Sequence, residues 1–282
     1  MTPPNRVILI TGCSSGIGRA LALELHRRGQ RVIASARRID SLTGLERGVT
    51  RITLDVNSAE SIADATAEVL EREGRIDMLI NNAGVANFGP LAELPLAEVR
   101  HVFETNVVGP LALTQAVFPQ MATRNSGIIV NIGSMVGVIG TPFTGAYSAS
   151  KAAVHMMSDV LRMELRPLGI HVIQVQPGAI RSEVASKSAP RNNRYASPQS
   201  FFRAVADQIE QRASLSQDQP MPAEEFARRL CPKLLCARPP ARVRLGNGIA
   251  FLPILERLPK DTLGAIFSKR FGLSGLGKTS QQ

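Results

Sequence analysis

From Val7 to Gln176 the chain alternates short apolar runs with longer stretches in which apolar positions recur every three or four residues. The runs are VILI (7–10), RVIASA (31–36), RITLDV (51–56), DMLINN (77–82), GIIVNI (127–132) and IHVIQVQ (170–176). They are apolar at nearly every position, as strands are when helices cover both faces of a parallel sheet. The stretches between them predict helices over about 17–29 and 58–73, a long one within 95–121, and another over 146–168. Gly29, Gly74 and Gly169 stand where three of these should end. Strand and helix in strict alternation predict an α/β protein with a doubly wound parallel sheet, the Rossmann arrangement.

Beyond Pro177 the rhythm changes. A polar stretch over 181–222, containing RNNRYASPQS, is expected to form a substrate lid, and a helix-like segment follows at about 223–236. We place the catalytic domain at 1–245, lid included, and a basic C-terminal extension at 246–282. The extension mixes Arg and Lys with Leu, Ile and Phe at roughly helical spacing. Such a segment can dock on its own domain over the site, on a second subunit, or on a membrane surface. The final SQQ should fray.

Charge sharpens that division. Residues 1–186 hold 17 basic and 16 acidic side chains, whereas 187–282 hold 16 and 7. A cationic C-terminal third suits something anionic, whether a phosphorylated substrate or a membrane. With 4% aromatic residues little is left for base stacking, so nucleic acid is not expected. Three scattered cysteines, Cys13, Cys231 and Cys236, exclude a disulfide scaffold. The MTPPNRVILI start offers no secretory or membrane-spanning run, so a cytoplasmic location, with peripheral membrane contact through the tail, is expected. His26, His101, His155 and His171 show no metal-ligand spacing.

Directly after the first run comes Thr11-Gly12-Cys13-Ser14-Ser15-Gly16-Ile17-Gly18, and a helical pattern follows at once. Gly12 permits a sharp turn, Gly16 a close approach of backbone to ligand, and Gly18 close packing of helix and strand. Free N–H groups at such a helix start, with Ser14, Ser15 and Ile17 around them, suit a pyrophosphate. The second run ends in Ala34-Ser35-Ala36-Arg37-Arg38, with no carboxylate before Asp40. Two guanidinium groups there fit a ribose 2′-phosphate, so NADP(H) is preferred over NAD(H). Asp55 and Val56 end the third run, where Asp55 suits the adenine amino group and can also cap the next helix, and Asn82-Ala83-Gly84 leaves room for the adenosine ribose.

Tyr147 and Lys151 are i and i+4 on a helix, hence on one face. An ammonium nearby, together with a positively charged nicotinamide ring, favours the phenolate, so Tyr147 can pass a proton to or from a substrate oxygen. Lys151 is the one Lys among residues 1–186. It also has the reach for the nicotinamide ribose. Ser134, at the end of the fifth run, can bond the same substrate oxygen, and Asn106 can hold a water that links Lys151 to solvent. Val138, Ile139, Pro142 and Phe143 between Ser134 and Tyr147 give an apolar wall suited to a hydrophobic alcohol or ketone.

TGCSSGIG at 11–18, Asp55-Val56, NNAG at 81–84, Asn106, Ser134, YSASK at 147–151 and Pro177-Gly178 together resemble the short-chain dehydrogenase/reductase family, over residues 5 to about 185. The resemblance implies a catalytic tetrad of Ser134, Tyr147, Lys151 and Asn106. It also implies that the main chain around Pro177, Gly178 and Ile180 orients the nicotinamide carboxamide, and that members assemble as dimers or tetramers. Two departures stand out: Ile180-Arg181-Ser182 replaces the Thr usual after Pro-Gly, and the late Asp-Gly-Gly strand end is missing, with Ala241–Leu245 as its substitute. Within the family the chain looks most similar to lipid-active members, the acyl-dihydroxyacetone-phosphate reductases and more distantly the retinol and 17β-hydroxysteroid dehydrogenases. A non-catalytic NADPH-sensing regulator is the rival class, and an intact Ser134, Tyr147 and Lys151 set argues against it.

Overall fold

The computed structural model describes residues 5–182 and 194–278. Part of the expected lid, 183–193, and the terminal SQQ lie outside them. Seven strands form one parallel sheet: β1 (Val7–Ile10), β2 (Arg31–Ala36), β3 (Thr50–Thr53), β4 (Met78–Asn81), β5 (Gly127–Ile132), β6 (Ile170–Pro177) and β7 (Arg242–Leu245). Their order is β3-β2-β1-β4-β5-β6-β7, so the winding reverses between β1 and β4. Open α/β sheets bind ligands at the carboxyl ends beside such a reversal. The expected substitute strand is present, with Val243 opposite Val175.

Alternate strand residues feed two cores. Ile8 and Ile10, Val130, and Ile173 and Val175 pack with Leu21 and Leu25 of α1 (Gly16–Arg27). On that face the helix we number α7 (Ala223–Leu235) adds Phe226, Leu230 and Leu234. Val7, Leu9, Ile129 and Val172 face the other way, onto α2 (Ala59–Glu73), α4 (Gly109–Thr123) and α5 (Gly145–Leu165). Two buried faces explain why the strands read as unbroken apolar runs.

Two sequence expectations need correction. The third strand stops at Thr53 and not at Val56, because Asp55 turns the chain: its Oδ1 accepts the Asn57 N–H at 3.0 Å. Ser58, not Asp55, caps α2 by accepting the Ser61 N–H. The long helix within 95–121 is α3 (Leu96–Phe103) and α4 joined by a π-helical segment, Glu104–Val108, that carries Asn106. Wide π turns of this kind recur at functional sites.

Past β6 come α6 (Ala206–Ser214) and α7, and past β7 come α8 (Leu252–Arg257) and α9 (Lys260–Arg270). Tyr195, Val205, Ile209 and Phe271 from this part of the chain close on Phe143 as a third small core.

Candidate active site

Thr11 begins the site where β1 ends. Its hydroxyl accepts the N–H groups of Asn82 and Ala83 at 3.0 and 2.9 Å, while the Asn82 amide donates to the Thr11 and Gly12 carbonyls at 2.9 and 3.2 Å. The NNAG loop is thereby clamped to the glycine turn. Asn82 serves as the clamp. Gly12 (φ +73°) and Gly16 (φ +56°) adopt left-handed backbone, and a Cβ on Gly18 would collide with the Asn82 amide and the Gly12 carbonyl.

Ser15 makes no side-chain cap to α1, and no acidic residue stands in its first turn. Such a helix start has unspent N–H donors and a positive field, which fits a pyrophosphate. A Cβ on Gly16 would lie 3.3 Å from Ser182, so the chain leaving β6 passes over this turn. Buried Cys13 is an inert neighbour, its thiol pushed up to about 12 by burial. Arg37 and Arg38 follow β2 directly, both exposed.

A chain of buried amides fixes α5, the helix that bears Tyr147 and Lys151. Asn81 Nδ2 donates to Thr114 Oγ1 at 3.2 Å and to Asn131 Oδ1 at 2.9 Å, and Asn131 Nδ2 donates to Ser158 Oγ at 2.9 Å. Each bond contributes about 1 kcal/mol net, but orphaning one buried partner costs more. α5 is therefore pinned to β4 and β5.

Lys151 is buried on α5 and donates from Nζ to the Ile132 carbonyl at 2.9 Å. Nζ lies 5.8 Å from the centroid of the Tyr147 ring. Burial pulls the ammonium down to about 8. A Cβ on Gly84 would lie 3.5 Å from Nζ and 3.1 Å from Asn106 Oδ1. This puts Gly84 beside Lys151 and Asn106.

Burial raises the Tyr147 phenol above the ordinary range, and two groups oppose that: the Ser134 side chain and the positive charge of Arg212. The spacing of Tyr147 and Lys151 led us to expect the lysine in that role. In the structure the ammonium donates to Ile132 while staying over the Tyr147 ring, and Arg212, 65 residues further along, adds a second positive charge that acts on the phenol.

Asn106 is spent on positioning. Its Oδ1 accepts the Val85 N–H at 2.9 Å, and Nδ2 donates to the Val85 carbonyl at 2.9 Å and to Ser150 Oγ at 3.0 Å. Both amide hydrogens are taken, so a water for Lys151 can meet only Oδ1. Asp55 and Val56 also have local work: Asp55 turns the chain, and Val56 is pressed against Gly109 at the start of α4.

Val138 is half-buried after Ser134, whereas Phe143 is buried and meets Phe271 edge-on. Phe143 thus joins the expected wall to the tail. Its φ of +66° is strained for a bulky residue, a feature that concentrates at functional sites. Pro177 closes β6, and Gly178 and Ala179 donate to Leu245 and Asn247 carbonyls at 2.9 Å. Ile180 bridges to Met221, and its carbonyl accepts from Gln217 at 3.2 Å.

Two contributors escaped the sequence reading. His155 stands four residues beyond Lys151 and its Nε2 accepts the Ser134 N–H at 3.4 Å. Burial, aided by the Lys151 charge, lowers its pKa to about 4, so it is a neutral acceptor. The 147/151/155 spacing was the available signal. Arg212 had none, since nothing local ties it to Tyr147. Cavities of about 370 and 350 Å³ lie at the amino ends of the strands, lined by residues such as His26, Arg31 and Gly48, or Asp77 and Gly169, away from this chemistry.

A parallel sheet with a glycine turn at its reversal and a Ser, Tyr, Lys cluster two strands away defines a nucleotide-binding oxidoreductase class. The short chain dehydrogenase family profile matches residues 6–193, and the chain belongs to that family, whose members bind nicotinamide cofactors. Dehydrogenase/reductase SDR family member 7B of Danio rerio is 38% identical over 64% of this chain and 63% of its own length. The NADPH-dependent 1-acyldihydroxyacetone phosphate reductase of Schizosaccharomyces pombe is 37% identical over 65% of this chain and 62% of its own. The match thus spans less than two thirds of either relative. A short-chain dehydrogenase crystal structure from Streptomyces avermitilis superposes with a TM-score of 0.78 at 35% identity, covering 95% of this chain and 97% of that one. No described helix is long and apolar enough to cross a membrane.

Proposed function

We propose that this chain is an NADP(H)-dependent oxidoreductase that interconverts a carbonyl and a secondary alcohol on a hydrophobic acyl-lipid substrate bearing a phosphate. The convergence of Tyr147, Ser134 and Lys151 with Gly84 at the carboxyl ends of β4 and β5 carries the reading. When bound, the reduced nicotinamide supplies hydride to the carbonyl carbon.

The chain's own residues do the rest. The α1 start and the Gly12–Gly18 turn hold the pyrophosphate, with Arg37 and Arg38 on the 2′-phosphate. Lys151 fits the nicotinamide ribose, having donors beyond the one given to Ile132. Tyr147 gives its hydroxyl proton to the substrate oxygen while Ser134 bonds that oxygen as charge develops. His155 keeps the Ser134 loop in place, and Asn106 keeps the Gly84-Val85 backbone beside Lys151.

The 2′-phosphate reading rests on two exposed arginines where an acidic residue would serve NAD(H), and the fission-yeast relative's name agrees. A second copy of this chain fits the outer face of α3, the π segment and α5, where Leu96, Val108, Met156, Val160 and Met163 are exposed. Exposed Phe251 and Ile254 near Arg257 and Lys260 suit peripheral contact with an anionic membrane from the cytoplasmic side.

The test is NADPH oxidation by the purified full chain with 1-acyldihydroxyacetone phosphate, steroid ketones, retinal and medium-chain aldehydes. The reading expects turnover of the first above the others. Turnover of retinal or steroid ketones instead would replace the substrate class, and oxidation with none of them would favour a sensor.

A further inference from the structure

Arg212 is 92% buried near the end of α6, a helix in the stretch that follows β6. Its Nη2 donates to Thr141 Oγ1 at 2.9 Å, and its guanidinium carbon lies 5.8 Å from the centroid of the Phe271 ring. Its Nε is buried without a hydrogen-bond partner. Among the described residues it forms no ion pair, although eleven other arginine–carboxylate pairs are formed there. Among the described residues the Tyr147 side chain is the group whose ionisation it would favour. At about 10 the group remains charged at neutral pH.

A buried cation with no counter-ion is costly and persists where a ligand completes it. The Thr141 hydroxyl takes one donor, an aromatic ring covers one face, and the Nε–H stays unspent. A guanidinium fork of this kind matches a phosphate or carboxylate in two parallel hydrogen bonds. Tyr195 adds a buried hydroxyl without a partner, on the same small core as Phe143 and Phe271.

We propose that Arg212 is the seat for an anionic oxygen group of the substrate, a phosphate monoester or a carboxylate placed a few bonds from the reacting carbonyl. This rests on the reading of Tyr147 as the proton donor, and it adds what decides which carbonyl compounds enter. Thr141 orients the guanidinium, and Phe271 from the C-terminal segment shields the pair from water, which strengthens it. The basic tail then acts in part by covering the anion seat.

Two measurements on the full chain test it, the first with saturating NADPH as the hydride donor and the second with saturating NADP. The first is the ratio of kcat/KM for 1-acyldihydroxyacetone phosphate over the same compound without its phosphate, in wild type, Arg212→Leu and Arg212→Lys. The ratio is expected to fall by about 30-fold or more in Arg212→Leu and by less in Arg212→Lys, which keeps the charge without the fork. Equal losses on both compounds, with the ratio within about threefold of wild type, would assign Arg212 to the phenol's field or to folding and overturn the proposal.

The second measurement needs no turnover: inorganic phosphate should raise the melting temperature of wild type by about 2 °C or more and leave Arg212→Leu unmoved. Phosphate protection that survives in the variant overturns the proposal. If wild type reduces neither compound but phosphate protection depends on Arg212, the reading of the reaction fails while the anion seat stands. A carboxylate-bearing ketone as a third substrate separates the two anions.

Discussion

The Phe143 ring meets the Phe271 ring edge-on, with centroids 6.0 Å apart and planes at 86°. The residue four positions before the candidate proton donor is thereby packed against the last part of the described chain. Removing that contact should loosen the wall of the site before it unfolds the sheet. Phe271→Ala is expected to cost about 3 kcal/mol in the small core it shares with Tyr195, Val205 and Ile209. Hydrogen exchange over 139–144 and 203–214 should rise, while β1, β4 and β5 stay protected.

Lys151 exemplifies a site that opposes stability. Its folded pKa of about 8 lies below the free value of 10.5, so at neutral pH the buried ammonium is held at a cost. Lys151→Met is expected to raise the stability at pH 7 by up to about 2 kcal/mol once the orphaned Ile132 carbonyl is counted, and the melting temperature with it, while lowering kcat/KM by at least about 100-fold. Because the unfolded chain holds the proton longer, wild-type stability gains from this group as pH rises from 8 to 10.5, and the variant should lack that gain.

His155 gives the opposite end of the pH scale. Its folded pKa is about 4 against 6.5 when free, so the unfolded state takes the proton first as pH falls. Its contribution is absent above 6.5, grows as destabilisation between 6.5 and 4, and levels off below, reaching about 3 kcal/mol at most. Denaturant titrations of wild type and His155→Gln from pH 7 to 4 should diverge over that interval. Parallel curves would remove His155 from the account.

The strands and the glycine turn were readable because burial on both faces and positive-φ backbone leave local marks: VILI, GIIVNI, Gly12 and Gly16. The end of β3 was misplaced because Leu54 and Val56 prolong the apolar run while the Asp55 side chain turns the backbone. A single helix was expected where Asn106 sits, since one π turn shifts the register of apolar positions without interrupting them. Tyr147 and Lys151 were found as neighbours in sequence. Arg212 and Phe271 reach Phe143, Thr141 and Tyr147 through tertiary packing alone, and no spacing rule joins residues so far apart.

The arginine pair after β2 predicts cofactor choice. Arg37→Asp with Arg38→Ala should shift the ratio of kcat/KM for NADPH over NADH by about 100-fold toward NADH, mostly through KM for NADPH. Unchanged selectivity would place the 2′-phosphate elsewhere.

The account depends most on Tyr147 as the group that moves the proton. The direct test is kcat for NADPH-dependent carbonyl reduction by Tyr147→Phe, with NADPH affinity and melting temperature measured on the same preparation. A fall in kcat of about 1,000-fold or more, with cofactor binding and fold preserved, is the expected result. A phenylalanine enzyme that reduces the carbonyl at the wild-type rate would contradict it.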